Sequence, residues 1–351
     1  MTFANQVKQD LLQDIADMAE FPWLFSKNSE TDFSRKRKID FQSLLHFCIC
    51  MEVGTTRHEL LKYFAFDSST PSNSAFIQQR SKLLPETFPF LFQQFNSHYQ
   101  FSLYKEKYQL LACDGSAFSF TRNPLDQDSY FAPDGKTTRG YNQVHVVALF
   151  DLLSKRYCDC VVQPIRKKNE FLALTQMIDQ NCTTNTVPIF IADRGFHAFN
   201  VFAHAIEHNA YFMVRAKDIN MRRLLGSDLP TEECFDVQIE RILTRSNAKR
   251  KRLHPELEEQ YRFICRDVTF DYIEHGSGDE YPISLRILRL NISDSGYETI
   301  ITNLPAEEFS PEEIKALYGL RWGILCAAFC YAHLLGREPL KINASITQRC
   351  A

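Results

Sequence analysis

The stretch VPIFIADRGF, residues 187–196, decides the fold that we expect for this chain. Its apolar run ends at Asp193, and its length and β-branched content are typical of a buried strand. The following segment, HAFNVFAHAIEHN, has apolar residues at helical spacing, and AYFMVRAK then returns to a strand pattern. A buried strand, a helix and a second buried strand are the units of α/β folds. The stretch therefore predicts an α/β protein.

The sequence on either side predicts a mixed sheet. KYQLLACDG, QVHVVALFDLL and RYCDCVVQPI are three strand-like runs close together, and KKNEFLALTQMIDQ after them has a helical pattern. Downstream, CFDVQIERIL, YRFICRDVTFDYI, PISLRILRLNI and YETIITNL alternate as strands do. The expected organisation is a helical N-terminal region over 1–104, a core over 105–217, an inserted, mostly β domain over 218–300, a final core strand and helix over 301–336, and an atypical tail over 337–351.

Composition sets limits on the class of protein. Of 351 residues, 44% are hydrophobic and 24% charged, which is ordinary for a globular protein with a buried core. The net charge of −3 gives no general attraction to nucleic acid, so any such surface must be local. The 11 cysteines contain no CxxC pair, which argues against a zinc ribbon or a disulfide framework and favours the cytoplasm. No apolar run is long enough to span a membrane.

Two aspartates are the main candidates for chemistry. Asp114 follows the apolar run LLAC, and Asp193 follows PIFIA, so both are expected where a strand ends. Ligand sites of open α/β sheets collect at that edge, and paired carboxylates suit hard divalent cations and displacement at phosphorus. The alternative is that both are turn or cap residues, because Asp-Gly is a turn signal and Asp before Arg-Gly can cap a helix.

Tyr318 and Arg321 are three residues apart and are expected on one face of the last helix, which begins at Ser310. A guanidinium matches phosphate oxygens, and a tyrosine adds a hydroxyl or stacks on a base. The alternative is an amphipathic helix whose arginine pairs with a nearby acid.

Weaker patterns also suggest contact with nucleic acid. The basic runs SRKRKID (34–40) and NAKRKRLH (247–254) could bind phosphates or simply be solvated. Arg80, beside Gln78 and Gln79 on the predicted helix SAFIQQRSKLL, has the composition of a base-reading helix, although other surface helices share it. His145 is expected to be a paired histidine of the sheet rather than a ligand.

CDGS at Asp114, IFIADRGF at Asp193 and ETIITNLP followed by SPEEIKALYGLRWGI within 298–324 resemble bacterial insertion-sequence transposases of the cut-and-paste DDE type. More specifically, they are similar to the insertion-sequence-4-like group, which carries a Tyr-x2-Arg-x3-Glu-x6-Lys signature. RKRKIDFQSLLHF and NSAFIQQRSKLLPETF extend the similarity, so that it covers residues from about 30 to 324.

The resemblance implies a ribonuclease-H-like core, an inserted β domain and an all-helical, DNA-binding N-terminal region. Members bind terminal inverted repeats and target DNA as homodimers, and use Mg²⁺ or Mn²⁺ to cleave and transfer strands. Asp114 and Asp193 match the metal-binding, catalytic aspartates. Tyr318 and Arg321 match residues that contact DNA phosphates, and Arg194, within the matching ADRGF, is expected to bind DNA as well.

The second half of the signature is missing. Leu325 stands where the catalytic glutamate is expected, and Ala332 stands where the lysine is expected. Among nearby acids, Glu312 and Glu313 lie at the helix start, and Glu338 lies in the tail. We therefore expect an altered or truncated transposase whose strand cutting is impaired. The alternatives are a non-catalytic DNA-binding inhibitor of an intact enzyme, an inactive remnant, and a two-metal nuclease unconnected with transposition.

Overall fold

The computed structural model describes residues 2–52, 54–135, 138–182, 186–217, 230, 232–246, 260–293 and 296–324. The described residues divide into two compact units, one before Phe101 and one from Phe101 to Ile324. Within the described ranges, no helix is both long and apolar enough to cross a membrane.

The first unit is built from helices. Their bounds are α1 Phe3–Glu20, α2 Phe41–Cys50, α3 Thr56–Tyr63, α4 Asn73–Arg80 and α5 Thr87–Ser97, with a 3-10 turn at Pro22–Phe25. Polar side chains begin several of them, because the first backbone N–H groups of a helix need acceptors. Asp40 accepts from the Ser43 amide at 2.8 Å, and Ser72 accepts from the Ala75 amide at 3.2 Å. Helices α2 to α5 overlap the segments predicted to be helical, from QSLLHFCICMEV through FPFLFQQF.

A single apolar cluster holds these helices together. Its fully buried members include Leu44, Leu45, Leu60 and Phe76, and Ile15 joins it from α1. Each belongs to the apolar stripe of its own helix, so burial of that stripe stabilises the unit.

The second unit is organised around one 10-stranded mixed sheet. The strands are β1 Tyr108–Phe120, β2 Tyr130–Phe131, β3 Tyr141–Asp151, β4 Arg156–Pro164, β5 Val187–Ala192, β6 Tyr211–Ala216, β7 Phe235–Thr244, β8 Tyr261–Phe263, β9 Glu280–Ser293 and β10 Gly296–Thr302. Their order is β2-β3-β1-β5-β6-β10-β9-β7-β8, and β4 pairs with β3. Pairing is parallel from β1 through β5 to β6 and antiparallel between β1 and β3 and between β6 and β10. The predicted mixed α/β sheet is confirmed.

Among the described residues, three helices pack on the two faces of this sheet. They are α6 Glu170–Asn181, α7 Phe199–Glu207 and α8 Pro311–Leu320. One apolar cluster joins odd-numbered β1 residues such as Leu111 to α6 and α7, and a second joins even-numbered ones such as Leu110 to α8. Because side chains alternate along a strand, β1 is buried on both faces. The start of α8 is the predicted one, with the Ser310 hydroxyl accepting from the Glu313 amide at 3.2 Å.

Two local predictions are wrong. Asp114 was expected at the end of a strand, but β1 continues to Phe120 because β3 pairs with that whole segment. The alternating run YRFICRDVTFDYI was expected to be a strand throughout, yet only Tyr261–Phe263 is one. The rest turns back, and Arg245 satisfies its carbonyls, among them that of Ile273, to which Arg245 Nε donates at 2.9 Å.

Strands β7, β8 and β9 come from the segment predicted to be an inserted domain. They extend the same sheet, because β9 pairs with β10 and β7 pairs with β9. The buried Arg286 on β9 donates to both carboxylate oxygens of Asp236 on β7, at 2.8 and 2.6 Å. It also donates to the carbonyl of Phe309 at 2.8 Å, which fixes the chain just before α8.

Candidate active site

The register of β1 and β5 sets the positions of Asp114 and Asp193. The last pair of this parallel ladder is Cys113 with Ala192, so the two aspartates are the next residues on their strands. Beyond this pair the strands part, because β1 continues against β3 whereas β5 stops. Each carboxylate therefore lies where a parallel ladder ends, which is the sheet edge at which ligand sites collect.

The side chain of Asp193 does not cap the turn that follows it, which was the alternative explanation of this residue. It precedes the 3-10 turn Arg194–Phe196, but its side chain forms no cap hydrogen bond there. Its Oδ1 is buried and has no hydrogen-bond partner among the described residues. A buried oxygen without a donor is costly unless a cation or another donor reaches it. Together with the neighbouring Asp114, this oxygen fits a divalent cation with oxygen ligands.

Asp114 lies in an electrostatic environment typical of a functional carboxylate. Its pKa is raised from 3.8 to about 6, chiefly by burial and in smaller part by the negative charges of Asp193 and Glu170. The amide of Gly115 and the guanidinium of Arg321 act in the opposite direction. A bound cation at this carboxylate would favour the ionised form in the same way that Arg321 does.

The last helix is attached directly to this edge. Tyr318 is 2% exposed, and its hydroxyl donates to the carbonyl of Ala192, the residue before Asp193, at 3.5 Å. Burial raises the pKa of Tyr318, so the hydroxyl is a neutral donor. Tyr318 thus contacts the strand that carries Asp193 rather than facing solvent.

Arg321 ends α8 close to Asp114. Its side chain is 2% exposed, and its guanidinium carbon lies 5.4 Å from the Tyr318 ring centroid and 4.7 Å from that of Trp322. Its Nε has no hydrogen-bond partner within the described part of the chain. The predicted pairing of Tyr318 with Arg321 is present, and it places a positive charge close enough to Asp114 to lower the pKa of that carboxyl.

Glu170 is a third carboxylate that the sequence did not single out. It is the first residue of α6, and a Cβ added to Gly115 would come within 3.0 Å of its Oε1. A Cβ on Gly195 would lie 3.4 Å from its Oε2. The Glu170 carboxylate thus lies close to both Gly115 and Gly195, which follow Asp114 and Asp193 by one and two residues. A glutamate in the first turn of a helix is common for electrostatic reasons, so its position in the sequence carried no signal.

His145 is paired, as expected, and its partner is Glu170. Its Nε2 lies 2.9 Å from Glu170 Oε1, although neither ring nitrogen makes a hydrogen bond of good geometry to a described residue. Burial lowers the pKa of His145, and Glu170 opposes that shift. The pair holds the Glu170 carboxylate against β1 and β3.

The remaining predicted DNA contacts lie at separate places. Arg194 is exposed just after Asp193. Arg80 is exposed on α4 in the first unit, with its guanidinium 5.3 Å from the Phe76 ring, but Gln79 is only 8% exposed and faces the core. Of the three residues predicted to read bases, only Gln78 and Arg80 are therefore exposed. In the run 34–40 the basic residues 35–38 are all exposed.

The acids considered as substitutes for the missing glutamate are placed only in part. Glu313 accepts from Tyr104 and from Lys105 Nζ, the latter at 2.8 Å, and is thus engaged at the helix start. Glu312 is exposed. Leu325, Ala332, Glu338, the tail and the basic run 247–254 lie outside the described residues.

Comparisons with known proteins identify a family for this part of the chain. The model of the family described as Transposase DDE domain matches residues 105–324, which contain Asp114, Asp193, Tyr318 and Arg321. A search of the curated proteins gives no match. Among solved structures, the chain is similar to a piggyBac transposase in a cryo-EM structure of its synaptic complex with hairpin DNA, at 9% identity and a TM-score of 0.42. That similarity covers 97% of this chain but only 62% of the other.

Proposed function

Because the chain belongs to the transposase DDE domain family, we propose that it is an insertion-sequence transposase that binds the terminal inverted repeats of its element. Strand cutting by this chain is impaired, since Leu325 stands at the position of the third carboxylate. The observation that supports this proposal best is the register of β1 and β5, which makes Asp114 and Asp193 the first residues beyond the pair Cys113 and Ala192.

We assign a ribonuclease-H-like core to residues 105–217 and 301–336, with the inserted segment 218–300 between them. The support is the order β3-β1-β5-β6, with β3 antiparallel to β1 and β5 and β6 parallel to it. The Tyr-x2-Arg half of the signature, at Tyr318 and Arg321, supports membership of the insertion-sequence-4-like group. The helical first unit, residues 1–104 in this scheme, is the proposed DNA-binding region.

Asp114 and Asp193 are the proposed ligands of Mg²⁺ or Mn²⁺. When bound, the metal stabilises the charge that develops on phosphate oxygens during displacement. The chain's own residues prepare this site: Arg321 favours ionised Asp114, and Tyr318 positions the end of β5. Loss of a ligand carboxylate forfeits part of a stabilisation worth several kcal/mol. That corresponds to roughly a thousandfold or more in rate.

The proposed partner is double-stranded DNA, at element ends and at the target, bound by a homodimer in the cytoplasm. Exposed basic side chains support this, because they can neutralise phosphates. Arg194 lies beside the carboxylates, and Arg80 lies on α4. Tyr318 and Arg321 are proposed to act on the phosphate at the cleaved end, although both are buried in the chain without DNA.

A gel-shift assay tests DNA recognition. Labelled duplexes ending in the inverted repeats that flank the gene should bind more tightly than scrambled duplexes of equal length. Arg80→Gln should weaken binding by about 1 to 3 kcal/mol if Arg80 reads a base. The exposed Lys8 on α1 offers a control of equal charge change, Lys8→Gln. Equal binding of repeat and scrambled duplexes would contradict the proposal.

A Mn²⁺ titration followed by electron paramagnetic resonance tests the metal site. Wild-type protein should bind Mn²⁺, and Asp114→Asn and Asp193→Asn should each lose that binding. Asp17→Asn, at an exposed position on α1, should not. Retention of binding by both site variants would remove the aspartates from the metal site.

A second candidate function is a DNA-binding inhibitor without catalytic activity, which the Leu325 and Ala332 positions favour. It would bind the repeats tightly and lower the cleavage rate of an intact transposase of the same group by mixed dimerisation. A nuclease unconnected with transposition would instead cleave unrelated DNA or RNA in the same assay.

A further inference from the structure

A second cluster of possible metal ligands lies on α6 and α7. Asp179 is near the end of α6, and His204 and His208 are four residues apart, so the two imidazoles lie on one face of α7 and its C-terminal cap. One ligand atom from each of the three residues lies within 4.8 Å of the others. Such a combination of imidazoles and a carboxylate is a nitrogen-and-oxygen ligand set.

Both histidines approach the same carboxylate oxygen. His204 Nδ1 lies 2.7 Å from Asp179 Oδ1, and His208 Nε2 lies 3.1 Å from it. Ligands 2.0–2.2 Å from a tetrahedral Zn²⁺ are separated by about 3.4 Å from one another. The observed separations are shorter than this by about 0.7 and 0.3 Å, and the exposed side chains of Asp179 and His208 can move apart to lengthen both.

The other nitrogen of His204 is already held. Its Nε2 lies 2.9 Å from Asp271 Oδ2, and Asn200 fixes Asp271 by donating to that oxygen at 2.8 Å and by accepting from the Asp271 amide at 2.9 Å. Metal-bound histidines usually donate their free N–H to a carboxylate in this way, which orients the ring.

This arrangement leaves a requirement for positive charge at the cluster. If His204 is neutral and donates from Nε2 to Asp271, its Nδ1 carries a lone pair facing the lone pairs of Asp179 Oδ1 at 2.7 Å. Two acceptors at that distance repel unless a proton or a cation lies between them. The metal-free alternative is a hydrogen bond from His204 to each of the two carboxylates.

We propose that Asp179, His204 Nδ1 and His208 Nε2 bind a Zn²⁺ ion, with Asp271 orienting His204. Two imidazoles select Zn²⁺ or a similar transition metal over Mg²⁺, which prefers oxygen ligands. Three protein ligands leave a fourth position for water or an external ligand. The site is open to solvent, since the side chains of Asp179 and His208 are 41% and 37% exposed.

The zinc site is separate from the proposed catalytic metal site and does not depend on it. Asp179 is nine residues beyond Glu170 on α6. At 1.5 Å per residue, that places it about 13 Å from Glu170 along the helix axis. Bound Zn²⁺ would connect the C-terminal ends of α6 and α7, two helices that pack on the same face of the sheet.

Calorimetric titration of the full chain with Zn²⁺ tests the proposal. Because exposed thiols such as Cys160 and Cys234 also bind Zn²⁺, the comparison among variants decides the result. His204→Gln, His208→Gln and Asp179→Asn should each lose one Zn²⁺ equivalent relative to wild type. Asp271→Asn should lower the affinity for that Zn²⁺ ion by about 10- to 100-fold. The exposed His58 on α3 provides the control, His58→Gln, which should bind as wild type does.

Co²⁺ supplies a second readout. The wild-type protein should show the visible absorption of tetrahedral Co²⁺, and this absorption should fall in the same three ligand variants while circular dichroism stays unchanged. Wild-type binding that none of the ligand variants reduces would overturn the proposal, because the metal would then sit on cysteines. Absence of Zn²⁺ binding by wild type would overturn it too.

Discussion

Asp114 and Asp193 occupy equivalent positions on neighbouring parallel strands, each one residue past the last pair of their ladder. This relationship brings the two carboxylates to the end of the same parallel ladder, although they lie 79 positions apart in the sequence. It also explains the unusual electrostatics, because the charge of Asp193 adds to the burial that raises the pKa of Asp114.

The raised pKa of Asp114 predicts a particular dependence of stability on pH in the absence of metal. With a native pKa of about 6 against an ordinary value of 3.8, the native state holds a proton between these values that the unfolded state has lost. Stability contributed by this group is therefore present below pH 4 and falls as pH rises through 6. The loss amounts to about 2 to 3 kcal/mol.

Urea unfolding in EDTA at pH 4, 5 and 7.5 measures this effect. Asp114→Asn removes the titrating group, so it should raise the free energy of unfolding at pH 7.5 relative to wild type and change it little at pH 4. A difference between the two proteins that is the same at all three pH values would contradict the prediction.

Arg321 should hold the pKa of Asp114 down. Arg321→Met removes its charge, so the pKa of Asp114, followed by NMR titration of the carboxyl carbon, should rise further. Arg321→Lys keeps the charge and should shift it less. Arg194→Met, at an exposed site, makes the same change in net charge and serves as the control. Equal titration curves for wild type and Arg321→Met would remove Arg321 from the site.

Glu170 should raise the pKa of Asp114, whereas Arg321 lowers it. Glu170→Gln removes a negative charge while preserving shape, so the pKa of Asp114 should move down toward its ordinary value. The same NMR titration measures it, with the exposed Glu312 offering the control Glu312→Gln. An unchanged or raised pKa in Glu170→Gln would show that its carboxylate does not reach Asp114.

Gly115 is required because His145 and Glu170 come close to β1. A Cβ there would lie 2.7 Å from His145 Nε2, so Gly115→Ala should destabilise the protein. Overpacking of this kind costs about 1 to 3 kcal/mol. Gly195→Ala is the matched control, because its Cβ would meet Glu170 Oε2 at 3.4 Å, an ordinary contact. Urea midpoints should fall for Gly115→Ala and stay near wild type for Gly195→Ala.

The spacing of apolar residues in the sequence predicted most of the fold. The apolar run before Asp193 and the helical spacing after it predicted β5, α7 and β6 because burial on both faces dictates those patterns. It failed for residues 264–273, where alternation is present but Arg245, distant in sequence, holds the backbone in turns. Tertiary contacts of this kind leave no local pattern.

The sequence predicted a carboxylate of the candidate site only where it follows an apolar, strand-like run. Asp193 was evident from its position after an apolar run. Glu170 was not, because its role depends on how the start of α6 meets Gly115 and Gly195, and a first-turn glutamate has an ordinary explanation in the helix dipole. The burial of Gln79 was missed because α4 has only two large apolar residues, Phe76 and Ile77, from which its inner face could be inferred.

Cleavage of element ends tests the account most directly. Duplexes carrying the inverted repeats are incubated with wild-type protein and with the double variant Asp114→Asn, Asp193→Asn, in Mg²⁺ and in Mn²⁺, and strand breaks are quantified on sequencing gels. We predict that wild type binds these ends but breaks them no faster than the double variant does, because Leu325 replaces the third carboxylate. Wild-type cleavage at ordinary transposase rates, abolished in the double variant, would show that the two aspartates form a complete catalytic site and would contradict this account.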